Sequence, residues 1–455
     1  MTLPRPDRRR LRALSASLTA ALAALSLGVA AQQAGSGARS DLMSLYREAQ
    51  SNDPTYGSAR LAREAAGELP VQARAALRPN VSAAVAGSEN RYVSKTPSLA
   101  LNYYSWGPTL TATLPIYHAQ LGDAVDQAEL SVQRAEAQLA QARQDLLLRV
   151  AQAYFDVLAA QDALEALETN KKATAENLAQ AKREFEVGTK TIVDTHEAQA
   201  RADQIEAQEQ VALGDLVVKR NALRAITGHE PGPLVPLADG PQLAAPQPTD
   251  AEAWARRAEE SNPGVSTAQA NADIAHLETK RQRDARLPTV DLQAQGSVER
   301  YNGSVYLQPS NTARQATIGV QVTIPIYTGG MIQSQVREAL LNEDKARQDL
   351  EFARRSASQG ARQAYVGAVY GLAQIRALES AQVSAQSQLD STKLGYKVGV
   401  RINLEVLDAE TQLVNTRRDL KKARYDFLVN GLRLQSAVGS LAENDIEAVN
   451  RLLGR

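Results

Sequence analysis

The stretch TLTATLPIY at residues 109–117 has threonine at alternate positions and ends in the motif Leu-Pro-Ile-Tyr. A second stretch, TIGVQVTIPIY at residues 317–327, repeats the alternation and ends in Ile-Pro-Ile-Tyr, 210 residues further along the chain. Apolar residues at every second position predict a β-strand with one apolar and one polar face. Similar runs at residues 81–92 and 290–301 predict an earlier strand in each copy, so the sequence predicts two strand pairs.

The repeat extends far beyond these strands. Val187-Gly188 returns as Val398-Gly399, and Gly228 returns as Gly439, each 211 residues later. A period of this length indicates duplication of a domain-sized unit rather than a short-repeat solenoid. Prolines at six positions break regular structure between the copies and mark a linker. The predicted boundaries are 41–228 for the first repeat, 229–249 for the linker, 250–440 for the second repeat and 441–455 for a C-terminal tail.

Each repeat also contains predicted helices on both sides of its strands. A first helix is expected at about residues 41–77 and again at 252–287, each ending against a proline. After the strands, residues 119–186 contain no proline and a single glycine, Gly122. This segment predicts one uninterrupted helix on the order of 100 Å long.

The long helices carry a coiled-coil pattern and end at glycines. Apolar positions alternate in spacing between four and three residues, which is the seam of a coiled coil. Gly188 and Gly399 predict the helix ends, and the returning helices run to Gly228 and Gly439. For the helices alone, an ordinary coiled-coil hairpin would be a sufficient interpretation. The seam residues are Leu146, Val150, Ala153, Val157, Ala160, Leu164 and Leu167, with Ala357, Ala361, Ala364, Ala368, Gly371, Ile375 and Leu378 at the equivalent positions.

The N-terminus predicts export from the cytoplasm. Five arginines within the first twelve residues precede an uncharged stretch rich in alanine and leucine, which ends in the small residues Val29-Ala30-Ala31. This order predicts a signal peptide at residues 1–31 rather than a membrane anchor. The chain contains no cysteine, so neither a lipid anchor at the cleavage site nor a disulfide is expected. Balanced charges, 51 basic against 51 acidic, argue against nucleic acid as a partner.

The predicted strands imply an assembly of several chains. No later run of 18 apolar residues predicts a transmembrane helix. Four strands are too few to close a barrel, and open sheet edges are not tolerated in lipid, so three chains with twelve strands are one solution. A small soluble β-domain that caps a helical hairpin remains an alternative. Lipid contact is favoured by aromatic residues around the strands, namely Tyr92, Tyr103, Tyr104, Trp106, Tyr117, Tyr301, Tyr306 and Tyr327.

Several motifs of the second repeat carry a family resemblance. They are YKVGVR at 396–401, VLDA at 406–409, ARYDFL at 423–428 and AVGSL at 437–441. With the two proline corners, they make the chain similar to the TolC family of outer-membrane efflux and type I secretion channels. The resemblance covers almost the full mature chain. It implies a mainly α-helical homotrimer whose twelve-stranded β-barrel contacts outer-membrane lipid and continues into a helical tunnel in the periplasm.

The resemblance also implies partners and a docking site. In this family the tunnel closes at its periplasmic tip. It docks an inner-membrane efflux pump or ABC transporter through a periplasmic adaptor, also called a membrane fusion protein. The expected docking residues lie at the two helix turns, although a plain hairpin turn would also explain the glycines. They are Val187, Gly188, Thr189, Val398, Gly399 and Val400.

Two further sets near the tip would form the gate. Glu405 and Asp408 lie three residues apart and share a helix face. The resemblance places them at the pore constriction, where the family has two aspartates, so the Glu405 carboxylate reaches one methylene further. Asp194, Tyr396 and Arg401 match residues that link the coils and hold the entrance shut. A solvated acidic face and three water-facing side chains are the simpler interpretations of these sets.

No pattern in the sequence indicates an enzyme. The four histidines, His118, His196, His229 and His276, lack the spacing of a metal site. There is no cysteine nucleophile, nucleophile elbow or phosphate loop, so neither catalytic residues nor a cofactor are expected. Two rival interpretations stay open: a periplasmic coiled-coil adaptor or tether without a pore, and a porin-like channel built mostly of strands.

Overall fold

The computed structural model describes residues 40–96, 98–189, 191–238, 240–302 and 310–454. The predicted signal peptide at residues 1–31 therefore lies outside the described residues. The chain divides into two compact units. The first unit contains the residues up to Ala49, residues 150–242 and the residues from Ile446 onward. The second unit contains residues 50–149 and 243–445.

The elements follow the same order in both halves of the chain. The first half contains α1 (Leu42–Asn52), α2 (Pro54–Ala66), α3 (Leu69–Ala75), β1 (Asn80–Lys95), β2 (Ser98–Tyr117), α4 (Ala119–Glu186) and α5 (Ile192–Thr227). The second half contains α6 (Ala251–Ser261), α7 (Pro263–Asp284), β3 (Thr289–Asn302), β4 (Ser310–Thr323), α8 (Met331–Lys397) and α9 (Asn403–Val438). A short helix, α10 (Glu443–Asn450), lies in the segment that was expected to be a tail.

The prediction of a single first helix in each copy is wrong. Residues 41–77 form three helices and residues 252–287 form two. Pro54 and Pro263 each open a new helix, because proline has no N–H and clashes with the turn before it. The residue before each proline caps that helix: Asp53 accepts from the Tyr56 N–H, and Asn262 accepts from the Gly264 N–H.

The long helices and their ends agree with the prediction. Helix α4 has the expected bounds, and Gly188 and Gly399 follow the two long helices with φ of +76° and +81°. The seam residues Leu146, Val150 and Val157 are buried, whereas Leu164 and Leu167 are half-buried. In the second unit the seam residue Ala361 is buried in a cluster that joins α6, α8 and α9. The other members of this cluster are Trp254, Ala258, Leu434 and Val438.

In the first unit the linker contacts α4 and the C-terminal segment, and that segment contacts the start of α1. The Tyr154 hydroxyl donates a 2.6 Å hydrogen bond to the Val235 carbonyl of the linker. Leu237 pairs with Leu453 in an isolated antiparallel bridge. The Asn450 amide donates to the Asp41 carboxylate at 2.9 Å, so α10 is anchored beside the start of α1. The proline-rich linker thus has defined neighbours although it contains no helix or strand among its described residues.

The four strands form one antiparallel sheet in the order β1-β2-β3-β4. All four predicted strands are present and begin before their predicted runs, most clearly β2, which begins at Ser98, whereas β4 ends at Thr323, one residue before Ile324 of its predicted run. Leu110 and Ala112 lie opposite Gly296 and Ala294, on what we call the apolar face. The threonines between them lie on the polar face. Within the described residues β1 and β4 are the two edges, and each pairs on one side only.

Strands β2 and β3 approach closely at Gly107. A Cβ atom at this position would lie 1.9 Å from the Val298 carbonyl oxygen, so only glycine fits. Pro108 follows, which has no N–H for the ladder. In the part of the chain that the structure describes, no helix has both the length and the apolar character to cross a bilayer.

Candidate functional site

The two helical tips are built by the same backbone motif. We call residues 184–194 tip 1 and residues 394–405 tip 2. In tip 1 the Thr189 N–H donates to the Glu184 carbonyl and the Gly188 N–H to the Phe185 carbonyl, both at 2.9 Å. In tip 2 the Val400 N–H donates to Gly395 and the Gly399 N–H to Tyr396, both at 3.0 Å. These are Schellman caps, and the glycine in each supplies the left-handed residue that the motif needs.

The tips expose apolar side chains to the surroundings. Val187 is 74% exposed in tip 1, and Val398 and Val400 are 65% and 74% exposed in tip 2. Exposed valines next to a rigid turn offer a surface for another protein. The assignment of these residues to adaptor docking nevertheless stays a prediction.

In tip 2 a glycine makes room for Arg401. A Cβ atom at Gly395 would lie 2.6 Å from the Arg401 Cγ and 3.4 Å from its Cβ. The Arg401 side chain therefore folds back over the end of α8. The sequence reasoning missed Gly395. The available signal was a glycine inside a helix, three residues before the expected end at Val398.

The folded-back arginine binds an acid at the start of α9. Arg401 Nη1 donates to Glu405 Oε2 at 2.6 Å. The structure thus brings together one residue predicted for the clasp and one predicted for the constriction. Asp408 lies one turn further along α9 and is exposed, while its neighbours Leu407 and Ala409 are buried. The acidic pair therefore lies at the surface of the hairpin, and its constriction role stays a prediction.

In tip 1 Asp194 has a local structural role. Its carboxylate accepts from the Thr191 N–H at 2.9 Å and from the Thr191 hydroxyl at 2.8 Å, and its own N–H donates back to that hydroxyl. This is a capping box at the start of α5. The corresponding cap of α9, Ile402, has no side-chain hydrogen bond. The Thr-x-x-Asp spacing could have predicted this cap from the sequence.

The predicted clasp residues belong to different units. Asp194 lies in the first unit, and Tyr396 and Arg401 lie in the second. Tyr396 is half-buried on the last turn of α8. The clasp among these three residues stays a prediction.

A family model described as "Outer membrane efflux protein" matches residues 45–229 and again residues 254–440. The chain belongs to this family. The Vibrio cholerae outer membrane protein TolC is 34% identical over 438 residues, which are 95% of this chain and 96% of that protein. The Pseudomonas aeruginosa alkaline protease secretion protein AprF is 30% identical over 421 residues, 90% of this chain and 86% of that protein.

A solved structure supports the same fold. The crystal structure of the Campylobacter jejuni CmeC outer membrane channel has a TM-score of 0.76 and 16% identity, and the match covers 91% of this chain and 90% of that one. The chain is therefore an outer-membrane exit duct of a Gram-negative cell, for efflux and/or type I secretion, and not an enzyme. The predicted channel fold and exit-duct function are confirmed, and the adaptor and porin interpretations are set aside.

Proposed function

We propose that three copies of this chain form one duct that is gated at its helical tips. The observation that carries the proposal is the four-stranded sheet whose edges are β1 and β4. An unpaired edge in lipid leaves N–H and C=O groups without partners, at a cost of several kcal/mol each. Pairing β4 of one copy with β1 of the next removes both edges. Three copies supply twelve strands, an even number in the range of closed barrels.

The gate is proposed at the tips. The clasp of Asp194, Tyr396 and Arg401 holds the resting entrance shut, and three copies of Glu405 and Asp408 surround the pore axis with six carboxylates. Contacts of this kind are individually weak, since an exposed ion pair contributes about 0–1 kcal/mol. A partner that favours the open state by the sum of these terms is sufficient to open the gate.

The proposed partner is a periplasmic adaptor that seats on the exposed valines of both tips. Val187 and Val398 precede glycines at equivalent turns and are 74% and 65% exposed. An inner-membrane efflux pump or ABC transporter would then supply the energy for transport, because the chain has no nucleotide-binding motif of its own.

Assembly and conduction can be tested together. The protein purified in detergent should have the mass of three chains in native mass spectrometry, and it should conduct ions in planar bilayers. A monomer that fractionates with soluble periplasmic proteins would overturn the trimer. Cysteines placed at positions 194 and 401 should crosslink in the resting channel, and no native cysteine competes with them. Failure to crosslink in a conducting trimer would overturn the clasp alone.

A further inference from the structure

The apolar face of the sheet ends in a row of aromatic and basic residues. Along β3 this face carries apolar residues or glycine at each second position from Val290 to Val298. These eight steps span about 27 Å along the strand, or roughly 20 Å across a membrane when the strand is tilted by about 40°. That height is comparable to the ~25 Å apolar band of outer-membrane barrels. The next residue on the apolar face is Arg300, at the end of the sheet away from the helices.

Around Arg300 lie the residues that we name the arginine–aromatic row: Tyr104, Trp106, Arg300 and Arg314. The register places Trp106 opposite Arg300, Tyr104 opposite Asn302, and Arg314 opposite Val298. The Arg300 guanidinium carbon lies 5.2 Å from the centroid of the Trp106 ring. All four side chains are exposed, Trp106 by 50% and Tyr104 by 56%. A guanidinium over an indole ring is held by cation–π attraction and keeps its donors available.

The positive charge of this surface favours the binding of an anion. Arg300 and Arg314 are both cationic, and the four residues of the row include no acid. On the neighbouring strand β1, Glu89 lies opposite Tyr104 of the row, and Arg91 lies two residues further along the same face and offsets its charge. The row therefore carries a net positive charge at the level where an apolar band ends.

We infer that the arginine–aromatic row binds phosphate groups on the headgroups of outer-leaflet lipid. The inference rests on the proposed function, because it requires the apolar face to contact the bilayer. Guanidinium groups bind phosphate oxygens through paired N–H donors, and the ring of Trp106 lies at the level that aromatic residues occupy in membrane interfaces. The helices continue from the opposite ends of the strands, which places the row at the cell surface when the tunnel is periplasmic.

The row can be tested with its own fluorophore. The chain has two tryptophans, and Trp254 is 3% exposed, so a change in emission on adding lipid reports mainly on Trp106. The trimer in neutral detergent would be titrated with micelles that contain bisphosphorylated lipid A or its dephosphorylated form, while native mass spectrometry counts the bound lipids. We expect binding of the phosphorylated form to be at least tenfold tighter.

Matched variants distinguish the row from general charge. Arg300→Gln with Arg314→Gln should reduce binding of the phosphorylated lipid to that of the dephosphorylated form. The control removes two exposed arginines of α8 instead, Arg354→Gln with Arg355→Gln, and should bind like the parent. Should the first pair fail to assemble, Arg300→Lys keeps the charge but loses the paired donors, and it should bind several-fold more weakly than the parent.

Two results would overturn the inference, and a third would count against the proposed trimer. Equal binding of the phosphorylated lipid by the parent and the Arg300→Gln/Arg314→Gln variant overturns the inference. Displacement of the lipid by millimolar inorganic phosphate would mean that the row binds free anions, which also overturns it. Native mass spectrometry reports the trimer in the same samples, so a parent that is not trimeric counts against the proposed function and not against the row.

Discussion

Arg401 Nη1 lies 2.6 Å from Glu405 Oε2 and thereby joins the residue before the N-cap Ile402 to the first turn of α9. The two side chains are 58% and 38% exposed, so their ion pair contributes about 0–1 kcal/mol to stability. A contact this weak can exchange partners when the tip moves. In the proposed gate, the same movement would therefore release the clasp and change the charge at the constriction.

Removing the arginine should strengthen cation block. In Arg401→Gln the Glu405 carboxylate loses its 2.6 Å partner, so three more anionic groups act on the proposed pore axis. We expect the concentration of a trivalent cation that halves conductance in planar bilayers to fall several-fold. Glu405→Gln with Asp408→Asn should abolish most of the block. Arg417→Gln, on the same hairpin, is the control because Arg417 bonds the neutral Gln386. If the trivalent cation blocks Arg401→Gln and the Glu405→Gln/Asp408→Asn variant as strongly as the parent, these carboxylates do not line the constriction.

A methyl group at Gly395 should have a related effect without removing any charge. The added Cβ of Gly395→Ala would lie 2.6 Å from the Arg401 Cγ, so the arginine must move away from Glu405. Single-channel conductance should rise several-fold, while helix content is kept, since alanine favours a helix over glycine by about 1 kcal/mol. Gly431→Ala in α9 is the matched control, because no atom lies within 4 Å of its added Cβ. The position of Arg401 would not affect the gate if both variants conduct like the parent.

Two variants can separate the capping role of Asp194 from its proposed clasp role. Asp194→Ala and Thr191→Val both break the capping box at the start of α5, which costs about 1 kcal/mol. Only the first removes the carboxylate. Amide hydrogen exchange in the first turn of α5 should therefore quicken in both, and conductance should rise in Asp194→Ala alone. If the two variants have equal conductance, Asp194 acts as a helix cap and not in the clasp.

The Asp53–Arg149 pair predicts acid sensitivity in the second unit. Arg149 Nη1 and Nη2 both donate to the buried Asp53 carboxylate, each at 3.0 Å. Burial raises the pKa of Asp53, but hydrogen bonds from Arg149 and the Tyr56 N–H outweigh it and hold the pKa below the ordinary value of 3.8. The carboxylate therefore stabilises the fold above pH 3.8, and this stability is lost as the pH falls through the lower folded pKa.

The test is Asp53→Asn, which copies Asn262 of the second repeat. The amide keeps an oxygen for the Tyr56 N–H but loses the charge that Arg149 binds. We expect the variant to be less stable at pH 7 by about 1–3 kcal/mol and to lose this part of the pH dependence. Thermal unfolding followed by circular dichroism in detergent measures both. Glu338→Gln, at an exposed position, is the control. If the unfolding temperature of Asp53→Asn changes with pH in parallel with that of the parent, the prediction is contradicted.

Part of this architecture could be predicted from local patterns. Alternation at residues 109–114 and 317–324 predicted the second strand of each copy, since a strand turns successive side chains to opposite faces. The absence of proline predicted the bounds of α4, and glycines predicted both tips. The prediction that one helix continues across each of Pro54 and Pro263 was wrong, because a proline inside a helical pattern can either kink a helix or start a new one.

The sequence by itself determined the order of the strands and long helices, the positions of the tips and the family, since these depend on residue types within one helical turn or a few strand positions. Only the tertiary structure decided which partner each polar side chain takes. Asp53 and Asn262 cap helices at equivalent places, yet Asp53 binds Arg149 and Asn262 donates to the Ala437 carbonyl at 2.8 Å. The partners lie 96 and 175 residues away. A hydrogen bond depends on a separation of about 3 Å in space, which residue order does not encode until the helices have packed.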